Sequence, residues 1–362
     1  MNISTLLGVE FRPIAIPESI HSPDATDFIS MVEVRNRVYR EIRGSHDNSV
    51  TAAELLPYYQ RDSYELRRLW LVVREGEPVG RVGVDLPLEE GSKAAYWVVE
   101  LLSGVRGQGL GTAGYALVEQ TARAHGRTVL QSWTEHPAAP GAVIDSPTGF
   151  GSIPEDRAAR FYRANGYALE QVERVSALDL RASTDRLEEL LAAARTAASD
   201  YRVVQWSPPT PDEYVQGYAW MKSRMSTDAP AGALEFDEET WDAARLARHD
   251  LTYIDGGRLM LVTAAQHIAT GTLCAFNELA IGPDRAAASH QEDTLVLKEH
   301  RGHRLGMLVK CVGLLAWREL VPESPRMTTY NAEENRPMLD INEAIGFVPI
   351  AYEGAWKKVL DD

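Results

Sequence analysis

Apolar and polar positions along this chain fall into runs that recur twice in the same order. The first begins Leu69-Trp-Leu-Val-Val, turns at Glu75-Gly-Glu-Pro78 and continues Val79-Gly-Arg-Val-Gly-Val, which predicts a β-hairpin. An apolar strand follows, Ala94-Ala-Tyr-Trp-Val-Val-Glu-Leu-Leu, then the glycine-rich stretch Ser103-Gly-Val-Arg-Gly-Gln-Gly-Leu-Gly111. A helix is predicted from Thr112 to His125, stopping at Gly126, a residue suited to the left-handed position after a helix. The second copy reads Leu259-Met-Leu-Val-Thr, a short turn, and Ile268-Ala-Thr-Gly-Thr-Leu-Cys. Then come Thr294-Leu-Val-Leu, Lys298-Glu-His-Arg-Gly-His-Arg-Leu-Gly306 and a helix from Met307 to about Leu320.

The spacing makes the recurrence a tandem duplication. Arg106 and Arg301 are 195 positions apart, and Gly111 and Gly306 share that offset. Downstream, Asn165-Gly-Tyr167 answers Ile345-Gly-Phe347 at an offset of 180, so the first copy is 15 residues longer after its loop. The Pro/Gly-rich run from His136 to Pro154 accounts for the excess as an inserted loop, with Trp133, Phe150 and Ile153 as its large apolar residues. Between the copies, Asp185 with Glu188 reads as a capping-box-like pair, and Leu187, Leu190 and Leu191 form one apolar stripe. The expected organisation is a first domain over 1–180, a helical linker over 181–200 and a second domain over 201–362.

Composition narrows the function. The chain has 362 residues, 44% hydrophobic and 25% charged, which is ordinary globular composition. Lys plus Arg is 37 against 52 Asp plus Glu, a formal net charge of −15. That balance argues against nucleic acid or an anionic membrane as partner, since both demand phosphate neutralisation, and it favours a cationic small molecule. Cys274 and Cys311 are too few and too isolated for a disulfide framework or a zinc site. The stretch Met1 to Pro13 lacks the basic and apolar regions of a secretory signal. No run approaches roughly 18–20 uninterrupted apolar residues. A cytoplasmic protein without a membrane span is expected.

A strand running into Arg-Gly-Gln-Gly-Leu-Gly and then a helix presents backbone N–H groups at a helix N-terminus, where glycine lets an anion approach closely. Phosphate is the natural ligand. The run has no Gly-Lys-Ser/Thr of a Walker loop, and it lies too late in its domain for a dinucleotide fingerprint. Arg106-x-x-Gly109-x-Gly111 resembles the pyrophosphate loop of the Gcn5-related N-acetyltransferase (GNAT) superfamily. That superfamily's later motif, Asn-x-x-Ala-x-x-x-Tyr-x-x-x-Gly-Phe, is echoed by Ala158, Tyr162, Gly166 and Tyr167, with Glu155 in place of Asn. It is echoed again by Asn335, Met338, Gly346 and Phe347, with Asn342 in place of Tyr. The resemblance covers nearly the whole chain, and the pairing is similar to the tandem acetyltransferases of the mycothiol synthase type. In the second loop Arg304 replaces the central glycine, where it either obstructs a pyrophosphate or pairs with it.

The resemblance implies an α/β fold of the α+β GNAT type, two tandem domains each with a twisted mixed sheet flanked by helices. It implies acetyl-CoA as acyl donor and N-acetylation of a small primary amine, in a monomer with an internal pseudo-dimer or in a homodimer. Cofactor contacts are then expected from Val105, Arg106, Gly107, Gln108, Gly109, Leu110 and Gly111. In the second copy they are expected from Val296, His300, Arg301, Gly302, His303, Arg304, Leu305, Gly306 and Asn335. The amine must lose a proton, the oxyanion needs donors and the thiolate benefits from an acid. Tyr162 stands where the family often places that acid. The second copy carries His290, Glu292 and Asp293 where a base would sit, and strand alternation puts His290 and Glu292 on one face. The second domain is therefore favoured for proton abstraction, with Glu292 first and His290 next. Each residue also has a plainer reading: Tyr162 as a packed helix aromatic, Glu292 as a solvated strand edge, and His290, His303 and Arg304 as surface groups. Two rival functions stand beside transfer. One is an acyl-CoA-binding or regulatory protein without turnover. The other is an aminoacyl-tRNA-dependent transferase, disfavoured because it would need a basic groove and no CoA loops.

Overall fold

The computed structural model describes residues 8–60, 63–228 and 230–361. The first seven residues, part of the stretch read above for a leader, lie outside the described residues. The chain divides into two compact units. Unit one runs to Val172 and takes in Gly232–Asp237 and the C-terminal stretch from Glu353; unit two holds Glu173–Ala231 and Glu238–Tyr352.

In unit one the elements are β1 (Val9–Pro13), α1 (Thr26–Arg43), α2 (Ala52–Tyr59), β2 (Glu65–Arg74), β3 (Glu77–Pro87), β4 (Ala94–Leu101), α3 (Leu110–Ala124), β5 (Val129–Glu135), a small hairpin β6 (Val143–Asp145) and β7 (Ser152–Pro154), and α4 (Arg157–Ala164). The strand β8 (Ala168–Asp179) follows and carries the chain into unit two. There the elements are α5 (Asp185–Ala197), β9 (Tyr201–Trp206), α6 (Asp212–Asp228), α7 (Ala243–Asp255), β10 (Leu259–His267), β11 (Leu273–Ile281), β12 (Ser289–Val296), α8 (Leu305–Leu320), β13 (Arg326–Ala332) and α9 (Arg336–Ile345), and β14 (Val348–Val359) carries the chain back into unit one.

Each unit builds a mixed sheet in the same way. In unit one β1 to β4 pair antiparallel in sequence order and β4 pairs parallel with β5. Residues 353–359 of β14 then close the sheet antiparallel to β5. In unit two β9 to β12 are antiparallel, β12 pairs parallel with β13, and residues 173–179 of β8 close the sheet antiparallel to β13. Each sheet is thus completed by a strand that the chain supplies from beyond its own repeat. Helices cover both faces. In unit two, Leu308, Cys311, Leu314 and Trp317 of α8 pack on one face, while Tyr218 and Leu246 pack with Phe276 on the other. Burying each such side chain contributes about 1.5–3 kcal/mol.

Local signals explain the elements and correct some boundaries. The β2–β3 hairpin turns on Glu75 and Gly76, both at positive φ (53° and 85°), the backbone of a two-residue turn matched to strand twist. The strand before the first loop reaches Leu101 and includes Glu100. Helices α3 and α8 begin at Leu110 and Leu305, two residues before the expected starts, because the left-handed residues Gly109 and Arg304 serve as their N-caps. The α5 cap is Thr184 and not Asp185: its hydroxyl donates to the Glu188 carboxylate at 2.7 Å, and no backbone N–H is capped. Leu187, Leu191 and Ala194 of this helix lie in the core of unit two. Trp133 stands on β5 and not in the inserted loop.

Candidate functional site

The parallel pairs are short, and this creates the site. In unit one the β4–β5 ladder ends at Tyr96 opposite Gln131; in unit two the β12–β13 ladder ends at His290 opposite Thr328. Beyond these pairs each strand continues without its partner, leaving a gap with unpaired ladder groups on both sides.

In unit one the gap is lined by rings. Ser132, the first β5 residue past the ladder, lies 2.7 Å from the Trp97 carbonyl oxygen and 2.8 Å from the Tyr162 hydroxyl. A carbonyl only accepts, so the Ser132 proton goes to Trp97 and Ser132 accepts the Tyr162 O–H. Tyr162 is buried and stacks on Trp356 at 5.0 Å and 6°. Trp97, Tyr115 and Tyr167 complete the cluster. Burial pushes the Tyr162 hydroxyl well above its ordinary range, with the Ser132 hydrogen bond opposing and Glu100 and Glu353 adding to the shift. It is therefore a protonated donor at neutral pH.

The loop above this gap repeats in both units with one substitution. In unit one a 3-10 turn at Ser103–Val105 leads to Arg106, whose Nε donates to the Leu101 carbonyl at 2.8 Å. Gly107 and Gly109 hold φ of 78° and 87°. A Cβ on Gly107 would stand 3.1 Å from the Arg157 guanidinium, so Arg157 at the start of α4 brings a second cation to the loop. The Gln108 amide donates to the Gly104 carbonyl at 3.1 Å, Leu110 is buried at the first position of α3, and Val105 packs beside Val34, Val38 and Leu102. Gly111 lies against the Phe161 ring. In unit two the turn is Lys298–His300, and Arg301 Nε donates to the Val296 carbonyl at 3.3 Å. Gly302 has φ of 88°, but the cap is Arg304 at φ 54°, a left-handed position that costs a non-glycine residue about 1–2 kcal/mol. Arg301, His303 and Arg304 are exposed, while Leu305 and Gly306 are buried. His300 Nδ1 lies 2.8 Å from the Tyr201 hydroxyl, and His303 packs on the same ring. Asn335 sits at the α9 cap position without a side-chain cap bond.

The unit-two gap holds different chemistry. Gln291 and Thr329 bridge it, Nε2 donating to Oγ1 at 3.1 Å and Oγ1 donating to the Gln291 carbonyl at 3.3 Å. Asn342, at the motif position of Tyr162, accepts from Lys310 Nζ at 2.7 Å and donates to Asn331 Oδ1 at 2.8 Å. Lys310 is fully buried, and that burial pushes its pKa down to about 7.

The proposed bases separate. The β11–β12 register shifts between Asn277 and Leu279, because β12 carries one extra residue at Glu292 and Asp293. This bulge breaks the simple alternation across those two residues. Glu292 is paired with Arg258 at 3.1 Å and is one-third exposed. His290 Nδ1 lies 2.9 Å from Thr328 Oγ1. Asp293 accepts from Lys222 at 2.6 Å; burial alone would raise its carboxyl, but the ammonium holds it below the usual range. Glu278, fully buried on the same lysine and on Tyr218, is raised by burial despite that partner.

Several site residues give no local signal in the sequence. Trp356 and Glu353 come from the exchanged strand, and Phe236 from the segment 232–237. Glu100 is held by Arg81, with Nε at 2.7 Å from one oxygen and Nη2 at 3.0 Å from the other, so that burial is outweighed and its carboxyl lies below the ordinary range. Among the described residues no cluster of His, Cys, Asp and Glu suits a metal ion, and no helix is long and apolar enough to cross a membrane.

Comparison with known proteins agrees with this architecture. Residues 31–143 match the acetyltransferase (GNAT) family. A tandem GNAT protein from the clavulanic acid biosynthesis pathway, solved without acetyl-CoA, superposes with a TM-score of 0.76 at 24% identity, over 98% of this chain and 99% of that one. A GCN5-related N-acetyltransferase from Sphaerobacter thermophilus superposes at 0.62 and 15% identity, over 98% and 96%. No curated protein sequence matches the chain at significance. The family match lies within unit one, and the superpositions show the fold of tandem GNAT proteins over both units.

Proposed function

We propose that unit one binds acetyl-CoA and passes the acetyl group to a small primary amine. The observation that carries this reading is the buried Tyr162 hydroxyl, held where β4 and β5 part, in the unit whose loop keeps both left-handed glycines. When bound, the cofactor supplies an activated thioester carbonyl. The N–H groups at the head of α3 suit its pyrophosphate, with Arg106 and Arg157 adding positive charge. Amides of β4 past Tyr96, released from the β5 ladder, suit a developing oxyanion. Tyr162 gives its proton to the departing thiolate, and Ser132 keeps that hydroxyl aimed. Glu353, which shares Arg43 with Glu135, is the carboxylate we assign to the amine's proton.

The bulge in β12 supports a second reading. It leaves Glu292 partly exposed beside the unit-two gap, so Glu292 or His290 could take the proton with CoA on the His300–Gly306 loop, Val296 and Asn335. Thiol release from acetyl-CoA against a panel of amines separates the two. On the first reading Tyr162→Phe lowers turnover about 100-fold and Glu292→Gln leaves it unchanged. The reverse pattern moves the chemistry to unit two, and binding without release across the panel makes the chain a non-transferring acyl-CoA protein. The composition and the acidic balance fit a cytoplasmic enzyme with a cationic acceptor.

A further inference from the structure

The sheet face of unit one that lies opposite Trp97, Ser132 and Trp356 carries a second group of rings. Alternation places Tyr96, Val98 and Glu100 of β4 there, with Gln131, Trp133 and Glu135 of β5 and Glu353, Ala355 and Lys357 of β14. The segment 232–237 lies along the edge of this face and is fastened at several points. Gln131 uses both ends of its amide on Glu235, donating to its carbonyl and accepting from its N–H, each at 2.7 Å. Lys357 donates to the Ala233 carbonyl, and Ser92 to the Asp237 carboxylate.

These bonds hold Phe236 out, and its side chain stays 45% exposed. Its ring lies 6.3 Å from Tyr96 at 24° and 6.2 Å from Trp133 at 33°, and Tyr96 and Trp133 are 5.9 Å apart at 47°. Phe236 lies at a shallow angle to both other rings, so the three make a bent wall whose exposed Phe236 face suits stacking of a flat apolar group better than enclosure of a cation. Apart from Glu353, kept for the reacting amine, the polar groups around it named here are already committed. Gln131 is spent on Glu235, Asp237 on Ser92, Glu235 reaches Lys357 at 3.4 Å, and Glu100 and Glu135 are held by Arg81 and Arg43. A sugar would need hydrogen-bonding partners for its hydroxyls, and a polyamine would need carboxylates for its further charges.

We propose that the acceptor is a monoamine on an apolar ring, the ring lying on Phe236, Tyr96 and Trp133 and the amine directed to the β4–β5 gap. This rests on the reading that unit one performs the transfer, and it adds the substrate class to it. The test is calorimetric binding to the full chain saturated with CoA, which cannot react, using 2-phenylethylamine, putrescine and glucosamine as probes. Phenylethylamine is expected to bind about tenfold tighter than the other two; Phe236→Ala should weaken it about tenfold and Phe236→Tyr should not. Equal or tighter binding of putrescine or glucosamine, or no effect of Phe236→Ala, overturns the proposal. Thiol release from acetyl-CoA is followed separately. Tight phenylethylamine binding without Tyr162-dependent release sinks the transfer reading and leaves the aromatic wall; release with an amine indifferent to Phe236→Ala does the opposite.

Discussion

The two gaps are one backbone carrying two chemistries. Register equates Ser132 with Thr329 and Trp356 with Ser176, while the loop offset equates Tyr115 with Lys310 and the motif equates Tyr162 with Asn342. Unit one fills its gap with stacked rings and a single aimed hydroxyl. Unit two fills the same place with a lysine and amides that bond to one another. Each gap spends one carbonyl on the facing hydroxyl, Trp97 on Ser132 and Gln291 on Thr329, so the difference lies in the side chains. Rings exclude water in unit one, whereas in unit two Lys310 and the amides bond to one another. Duplication preserved the fold because the fold rests on apolar alternation, whereas the reacting groups rest on a handful of positions that were free to diverge.

The comparison is tested most severely at Trp356. Replacing it with Ala opens a cavity beneath Tyr162 and should destabilise unit one by about 3–5 kcal/mol, while Ser176→Ala at the matching place should cost under about 1 kcal/mol. Denaturant unfolding of the two variants measures this. Equal losses would mean that the exchanged strand carries no special share of unit one. Tyr162→Phe comes next, expected to lower turnover about 100-fold with acyl-CoA affinity nearly unchanged, because the ring stays and only the proton-donating hydroxyl is lost. Asn342→Leu should leave turnover alone. A fall in both would join the two gaps in one reaction.

What the sequence made legible was local. The first hairpin, the strand-loop-helix of each repeat and the end of α3 at Gly126 follow from alternation and from residues with special backbone needs, and all appear in the structure. The second hairpin forms too, but its first strand runs on to His267, the expected strand residues 268–272 make the turn, and the next strand starts at Leu273. The exchange of β14 could not be read this way, since Glu353 to Val359 alternate as any strand would and nothing in them names β5 as partner. The segment 232–237 gives no periodic signal, so Phe236 was invisible as part of a wall. The bulge at Glu292 and Asp293 is a pairing fact, and it altered the face assignments drawn from counting by twos. Tyr162 was found because its motif spacing is local. Ser132, which aims it, was missed because its role depends on where the parallel ladder stops.

Exchanging the loop residues sharpens the comparison at smaller cost. Gly109→Arg copies the second loop into the first. At φ 87° it imposes about 1–2 kcal/mol of backbone strain and sets a side chain over the head of α3, so acyl-CoA affinity should fall about tenfold. The converse, Arg304→Gly, should stabilise unit two by up to about 1 kcal/mol, by removing strain. Calorimetry and thermal unfolding read these out. Tighter binding in Gly109→Arg would instead favour the arginine as a pyrophosphate partner.

Lys310 gives the mildest test and the one most specific to unit two. Its folded pKa is pushed down to about 7 by burial, below the 10.5 of an ordinary lysine, and its partner is the uncharged Asn342. Between these two values the unfolded chain holds a proton that the folded chain lacks, so stability rises with pH across that window. Below about 7 both states are protonated and the penalty is present in full and constant; above 10.5 it is gone. Lys310→Met removes the titrating group, and the slope of unit-two stability between pH 7 and 10 should flatten relative to the parent. Because the substitution also leaves the Asn342 carbonyl oxygen without its donor, the absolute stability is a poor readout and the slope is the informative one. In unit one Tyr115 stands at this position, and Tyr115→Phe should leave that slope as it is. An unchanged slope in Lys310→Met would mean that Lys310 stays charged in the folded chain. The polar chain of unit two would then hold an ion where unit one holds rings.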